Sequence, residues 1–60
     1  MIHKNIKISS LDHYGRGIAR IDDKVIFVIN ALPNEVVDIE IIEEKKSFSV
    51  AVVKKYIELS

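Results

Sequence analysis

Apolar and polar residues alternate with a period of two along most of this chain, and the breaks in that alternation mark its turns. Val25 to Ile29 is the longest exception, an unbroken apolar run, β-branched apart from Phe27 and too short for a buried helix. It predicts a central strand apolar on both faces. Before it, Ile2, Ile6 and Ile8 alternate with polar partners, Lys4 being the one break, so a first strand over residues 2–10 buries one face. Leu11 falls out of phase, which predicts a bulge or strand end near Ser10. A short second strand spans Ile18 to Ile21, and Asp22-Asp23 then gives a tight hairpin into the central strand. Pro33-Asn34 reads as the middle of a second tight turn, Pro33 fixing φ and Asn34 taking a left-handed conformation.

A fourth strand starts at Val36, with Val37, Ile39 and Ile41 inward and Asp38 and Glu40 toward solvent. Glu43-Glu44-Lys45-Lys46 breaks the pattern as an exposed hairpin tip, and a last strand runs from about Ser47 to Ile57. Phe48, Val50 and Val52 share one of its faces and Ala51, Val53 and Ile57 the other, and periodicity alone admits either face as the inward one. With no helical period, the expectation is an all-β fold, a small five-stranded OB-like barrel whose closure removes unpaired edges.

Sixty residues make a single small domain of modest stability. The chain has no cysteine, hence neither disulfide nor thiolate metal site, which suits a reducing, cytoplasmic setting. No apolar run is long enough for a membrane span and no signal-peptide core is present, so no membrane partner is expected; as an isolated domain the chain is expected to be a monomer. Formal net charge is zero, but the charges are segregated. Residues 1–20 carry Lys4, Lys7, Arg16 and Arg20 against Asp12; residues 21–44 carry Lys24 against Asp22, Asp23, Glu35, Asp38, Glu40, Glu43 and Glu44. Residues 45–60 carry Lys45, Lys46, Lys54 and Lys55 against Glu58. Pairing of the two chain ends would make one side of the domain basic and the other acidic.

Catalytic candidates are few. His3 and His13 are the only histidines, no carboxylate lies in a context suggesting burial, and Glu43-Glu44 fits a solvated pair better than a dyad. No catalytic residue and no metal ligand set is assigned, and Gly15-x-Gly17 lacks the third glycine and the helix of a dinucleotide fingerprint. What remains is a binding surface. Asp12 to Gly17 forms a loop in which Gly15 and Gly17 supply backbone angles denied to other residues. His13, Tyr14 and Arg16 in that loop offer two flat rings and a guanidinium, the chemistry that stacks unpaired bases and holds phosphates. Lys45-Lys46 followed by Phe48 repeats the pairing of cation and ring. The competing reading makes the loop ordinary polar surface, with Tyr14 closing a barrel end and Phe48 in the core, in a protein-docking or structural role.

The order of motifs adds to this. Gly15-Arg16-Gly17-Ile18-Ala19-Arg20, then Val25-Ile26-Phe27-Val28, then Ala31-Leu32-Pro33-Asn34-Glu35-Val36-Val37, then Lys45-Lys46-x-Phe48-x-x-Ala51-x-Val53 together resemble a TRAM domain over nearly the whole chain. Such domains are OB-like barrels that bind RNA in tRNA- and rRNA-modifying enzymes. Ala31 to Glu35 is most similar to the A-L-P-G-E form of bacterial RNA (uracil-5-)-methyltransferases, especially the 23S rRNA enzymes, in which the domain is N-terminal. Asn34 stands where that family usually has Gly, and Asp23 where a turn Gly is common. The resemblance implies the N-terminal part of a larger enzyme, with rRNA and the catalytic methyltransferase domain as partners. It implies S-adenosylmethionine, and an iron–sulfur cluster, as cofactors of the parent, and none in this chain. It favours Ala51 and Val53 as inward residues, adds Arg20 to the RNA-contacting set and makes Gly15, Gly17, Pro33 and Asn34 turn residues. The implied role is an RNA-binding module; the alternatives are a docking domain on the catalytic domain, or a free-standing RNA-chaperone-like protein.

Overall fold

The structure, a computed structural model, describes residues 2–59, and within them it is all-β without a helix. Six strands follow one another: β1 (Ile2–Lys7), β2 (Ser10–Leu11), β3 (Gly17–Ile21), β4 (Lys24–Ile29), β5 (Val36–Glu44) and β6 (Phe48–Glu58). They form one curled half-barrel sheet in the order β1-β5-β6-β4-β3-β2. The apolar run is interior as expected: β4 pairs antiparallel with β3 and parallel with β6. Among the described residues β1 and β2 are the outer strands of the ladder, so edges remain where a closed barrel would have none.

The sixth strand arises from the first one expected. Its polar break is a register shift between His3 and Ile6, where Asn5 sits at φ 56° and its amide N–H donates to Asp38 Oδ1 at 3.0 Å. The bulge therefore falls at Asn5 and not near Ser10. Ser10–Leu11, out of phase with what precedes it, is a separate strand that pairs with β3. Ile8, between the two, is fully buried, while Ile2 stays exposed.

The turns follow local chemistry. Asp22 and Asp23 both take positive φ, 51° and 69°, the signature of a type I′ hairpin achieved without glycine. Asn34 has φ 70°, and the Glu35 N–H donates to the Leu32 carbonyl at 3.2 Å, placing Pro33 and Asn34 at the centre of a type II turn. This turn is locked to Ile8: the Asn34 N–H donates to the Ile8 carbonyl and the Ile8 N–H to the Glu35 carbonyl, each at 2.9 Å. Glu35 itself is 4% exposed, its Oε1 accepting the Leu32 N–H at 2.8 Å. A buried carboxylate thus exists where none was expected; it caps a turn, so burial costs it no hydrogen bond. The β5–β6 tip is Lys45 to Ser47, closed by the Lys45 N–H on the Phe48 carbonyl at 2.8 Å, and Glu43 and Glu44 belong to β5.

The core lies on the concave side, built from Ile8, Ala19, Ile26, Val28, Ala31, Val37, Ile39 and Ala51, with Ile6, Ile21, Ile41 and Val53 packed against it. The inward face of β6 is therefore the one bearing Ser49, Ala51 and Val53. The expected segregation into a basic and an acidic side is corrected. β1 and β6 do not pair; acidic β5 lies between them, and Lys54–Glu40 at 3.4 Å crosses from β6 to β5.

Candidate functional site

Asp12 shapes the loop between β2 and β3. Its Oδ1 accepts the backbone N–H groups of Tyr14 (2.9 Å) and Arg16 (2.8 Å), and its Oδ2 accepts Arg16 Nε–H at 2.7 Å. The Asp12 N–H donates to the Arg16 carbonyl at 2.9 Å, so the loop closes on itself. Burial would raise the Asp12 pKa, but the hydrogen bonds from Arg16 and Tyr14 and the Arg16 charge favour the anion and together hold it below its ordinary 3.8. The two glycines differ in purpose. Gly15 has φ +80° with open space around it, whereas a Cβ on Gly17 would meet Ile8 Cγ2 at 2.9 Å and Ala31 Cβ at 3.0 Å. Gly17 is thus required for close packing and not, as expected, for its backbone angle.

Pinned in this way, the Arg16 guanidinium lies 4.4 Å from the centroid of the Phe27 ring and 5.3 Å from that of Tyr14. Phe27 in turn meets Phe48 edge to face, centroids 5.5 Å apart. Three residues expected at the site, Tyr14, Arg16 and Phe48, are therefore joined into one array, and the residue joining them, Phe27, was not among those expected. Phe27 sits in a run apolar on both faces, where period alone cannot say which ring points outward.

Strand register fixes the surroundings. Arg20 is opposite Val25, which is opposite Phe48; Ile18 is opposite Phe27, which is opposite Val50; Ile29 is opposite Val52. These rows make the convex face of β3, β4 and β6, and its apolar members are all half-buried, away from the core. Arg20 and Lys46 are exposed and have no ion-pair partner among the described residues, whereas Lys45 pairs with Glu43 at 3.5 Å. His13 is exposed in the loop and Tyr14 is 82% exposed, which excludes Tyr14 as a plug of the barrel end. Pro33 and Asn34 lie in their turn beside Ile8 and outside the aromatic array.

The concave side offers something different. A cavity of about 460 Å³ opens among His3, Ile21, Ile26, Ile41 and Ser49, rimmed by Asp22, Glu43 and Glu44 with Lys24. Its carboxylates repel phosphate, and Lys24 is tied to Glu44 at 3.3 Å. No group of three or more His, Cys, Asp or Glu able to hold a metal occurs among the described residues, and no helix there is long and apolar enough to cross a membrane. The sequence has no cysteine thiolate for an iron–sulfur cluster, and among the described residues there is no glycine-rich strand-to-helix turn for a nucleoside cofactor, so these residues fit neither group.

Comparison with known proteins converges on the same segment. Residues 3–54 match the model of the TRAM domain. The chain is 44% identical, over 98% of its length, to the 23S rRNA (uracil(1939)-C(5))-methyltransferase RlmD of Psychromonas ingrahamii, and 49% identical over 92% to that of Mannheimia succiniciproducens. It spans only 13% and 12% of those two proteins, matching their N-terminal region. The solution structure of a conserved protein of Methanococcus maripaludis superposes with a TM-score of 0.81 at 32% identity, covering 88% of this chain and 74% of that one. With the family model matched over residues 3–54 and relatives aligned over nearly its full length, the chain belongs to the TRAM domain family.

Proposed function

We propose that this chain is the non-catalytic RNA-binding module of a larger S-adenosylmethionine-dependent RNA (uracil-5-)-methyltransferase of the cytoplasm, and that its convex face holds unpaired rRNA for the catalytic domain. The observation that carries the reading is the continuous array Tyr14–Arg16–Phe27–Phe48, with Arg20 and Lys46 at its margin. One exposed ring, two half-buried ones and a planar guanidinium beside free cations suit the stacking and phosphate contacts of single-stranded RNA. The S-adenosylmethionine site, and an iron–sulfur cluster, belong to parts of the parent outside this segment.

A specific observation also favours docking: Ile18, Val25, Ile29, Val50 and Val52 extend the convex face as apolar surface beyond the aromatic array. Fluorescence anisotropy with single-stranded rRNA fragments at low salt separates the two. Phe48→Ala or Tyr14→Ala lowers affinity by about 1–3 kcal/mol with little change of salt slope if these rings stack on bases. Under docking these changes leave RNA affinity unaltered, and Ile29→Ser or Val52→Ser destabilises the parent enzyme instead.

A further inference from the structure

Arg16 would ordinarily be counted as a phosphate contact, but its surroundings argue for another role. Its Nε–H is committed to Asp12 Oδ2 at 2.7 Å, with the Asp12 side chain 11% and the Arg16 side chain 32% exposed. At that distance the pair presents no net charge to a phosphate. The guanidinium is stacked near Phe27 and Tyr14, and its Nη groups donate to no acceptor among the described residues. The Tyr14 and Arg16 backbone N–H groups are taken by the same carboxylate, so the loop is ordered before any ligand arrives. A fixed plane with two coplanar N–H donors on its free edge matches the carbonyl oxygens of a nucleobase, and Tyr14 offers an exposed ring to stack that base.

Resting on the RNA-binding reading above, we infer that Asp12 and Arg16 form one neutral, planar element that recognises an unpaired base through an exocyclic carbonyl, with Asp12 as the positioning residue. Phosphate charge is met by Arg20 and Lys46, two exposed cations at the margin of the array that have no ion-pair partner among the described residues.

The test is anisotropy of the 60-residue chain with a fluorescein-labelled single-stranded RNA 12-mer over a KCl series, and with the same oligomer made abasic at its central positions. The key variant is Asp12→Asn/Arg16→Gln, which removes one charge of each sign. Binding of this double variant to the base-bearing RNA weakens about tenfold at every salt concentration, its salt slope stays that of the wild type, and its preference over abasic RNA is lost. Asp12→Asn alone keeps the Oδ1 acceptor for the loop amides but frees the Arg16 charge, and the slope steepens by up to about 0.7. Arg16→Lys keeps the charge without the plane and loses the base preference as the double variant does. A slope flattened by about 0.7 in the double variant makes Arg16 a phosphate counter-charge and overturns the inference while leaving RNA binding standing. Unchanged base preference in the double variant also overturns it. Absence of wild-type binding to any RNA overturns the RNA-binding reading itself.

Discussion

Three of the hydrogen bonds that define the Asp12–Gly17 loop end on one carboxylate, so that loop is sensitive to the ionisation of Asp12. Because its folded pKa is depressed below 3.8, the stabilisation is fully present above the unfolded value and is lost as pH falls through the lowered folded one. Melts of wild type and Asp12→Asn therefore differ at neutral pH and converge toward the acid end, below about pH 4. The glycines separate in the same way, by mechanism. Gly17→Ala forces a methyl against Ile8 and Ala31 and destabilises by about 1–3 kcal/mol, whereas Gly15→Ala has room and bears only the left-handed penalty of about 1 kcal/mol. Asn34→Gly is neutral or slightly stabilising and Asn34→Val destabilises by about 1–2 kcal/mol, since Asn34 has φ 70°; thermal melts of all four variants order them.

Two segments outside regular pairing hold the elements together. Ile8 lies between β1 and β2, makes no ladder pair, and yet is fully buried where the sheet curls over. Ile8→Ala leaves a cavity bounded by Gly17 and the Leu32–Glu35 turn and costs about 2–5 kcal/mol, read from urea midpoints. At the β1 edge, the Asn5 bulge releases an amide from the ladder, and Asp38 on the neighbouring strand captures it. The bulge breaks the flat edge that would otherwise invite another strand. Asp38→Ala removes the acceptor, costs about 0.5–1.5 kcal/mol, and raises hydrogen exchange at Asn5 above that of the rest of β1.

Taken whole, the domain divides its chemistry between two faces. The concave face is core with an acid-rimmed mouth; the convex face is aromatic and aliphatic, with free cations at its margin. With acidic β5 beside β6, Glu40 answers Lys54 on the adjacent strand and Glu44 reaches Lys24 at the start of β4, so part of the charge is balanced locally. Each such exposed pair contributes about 0–1 kcal/mol, so high salt changes stability little. If the convex face binds RNA as proposed, with Arg20 and Lys46 meeting phosphates, affinity falls with salt and Arg20→Ala/Lys46→Ala flattens the slope by up to about 1.4 log units at two contacts. Comparing melting temperature and anisotropy across one KCl series checks both statements.

Most of the strands, the two tight turns and the all-β class were legible because they rest on local physics. A period of two, Asp-Asp or Pro-Asn at a turn, and the inability of Val25–Ile29 to be anything but buried strand are properties of neighbours in sequence. The composition of the loop singled out Tyr14 and Arg16 as binding candidates, and the basic tip Phe48, and the structure brings these three side chains into one array. Tertiary structure alone decided what depends on partners distant in the chain. Ser10–Leu11 is a strand only because β3 pairs with it, and Gly17 is indispensable only because Ile8 and Ala31 close over it. Glu35 is buried because the Ile8 segment covers its turn. Phe27 joins the site because parallel pairing of β4 with β6 sets its ring against Phe48, while the β2–β3 loop lays Arg16 over it. A strand apolar on both faces carries no local signal for which face turns outward, since that choice is made by the register of its neighbours.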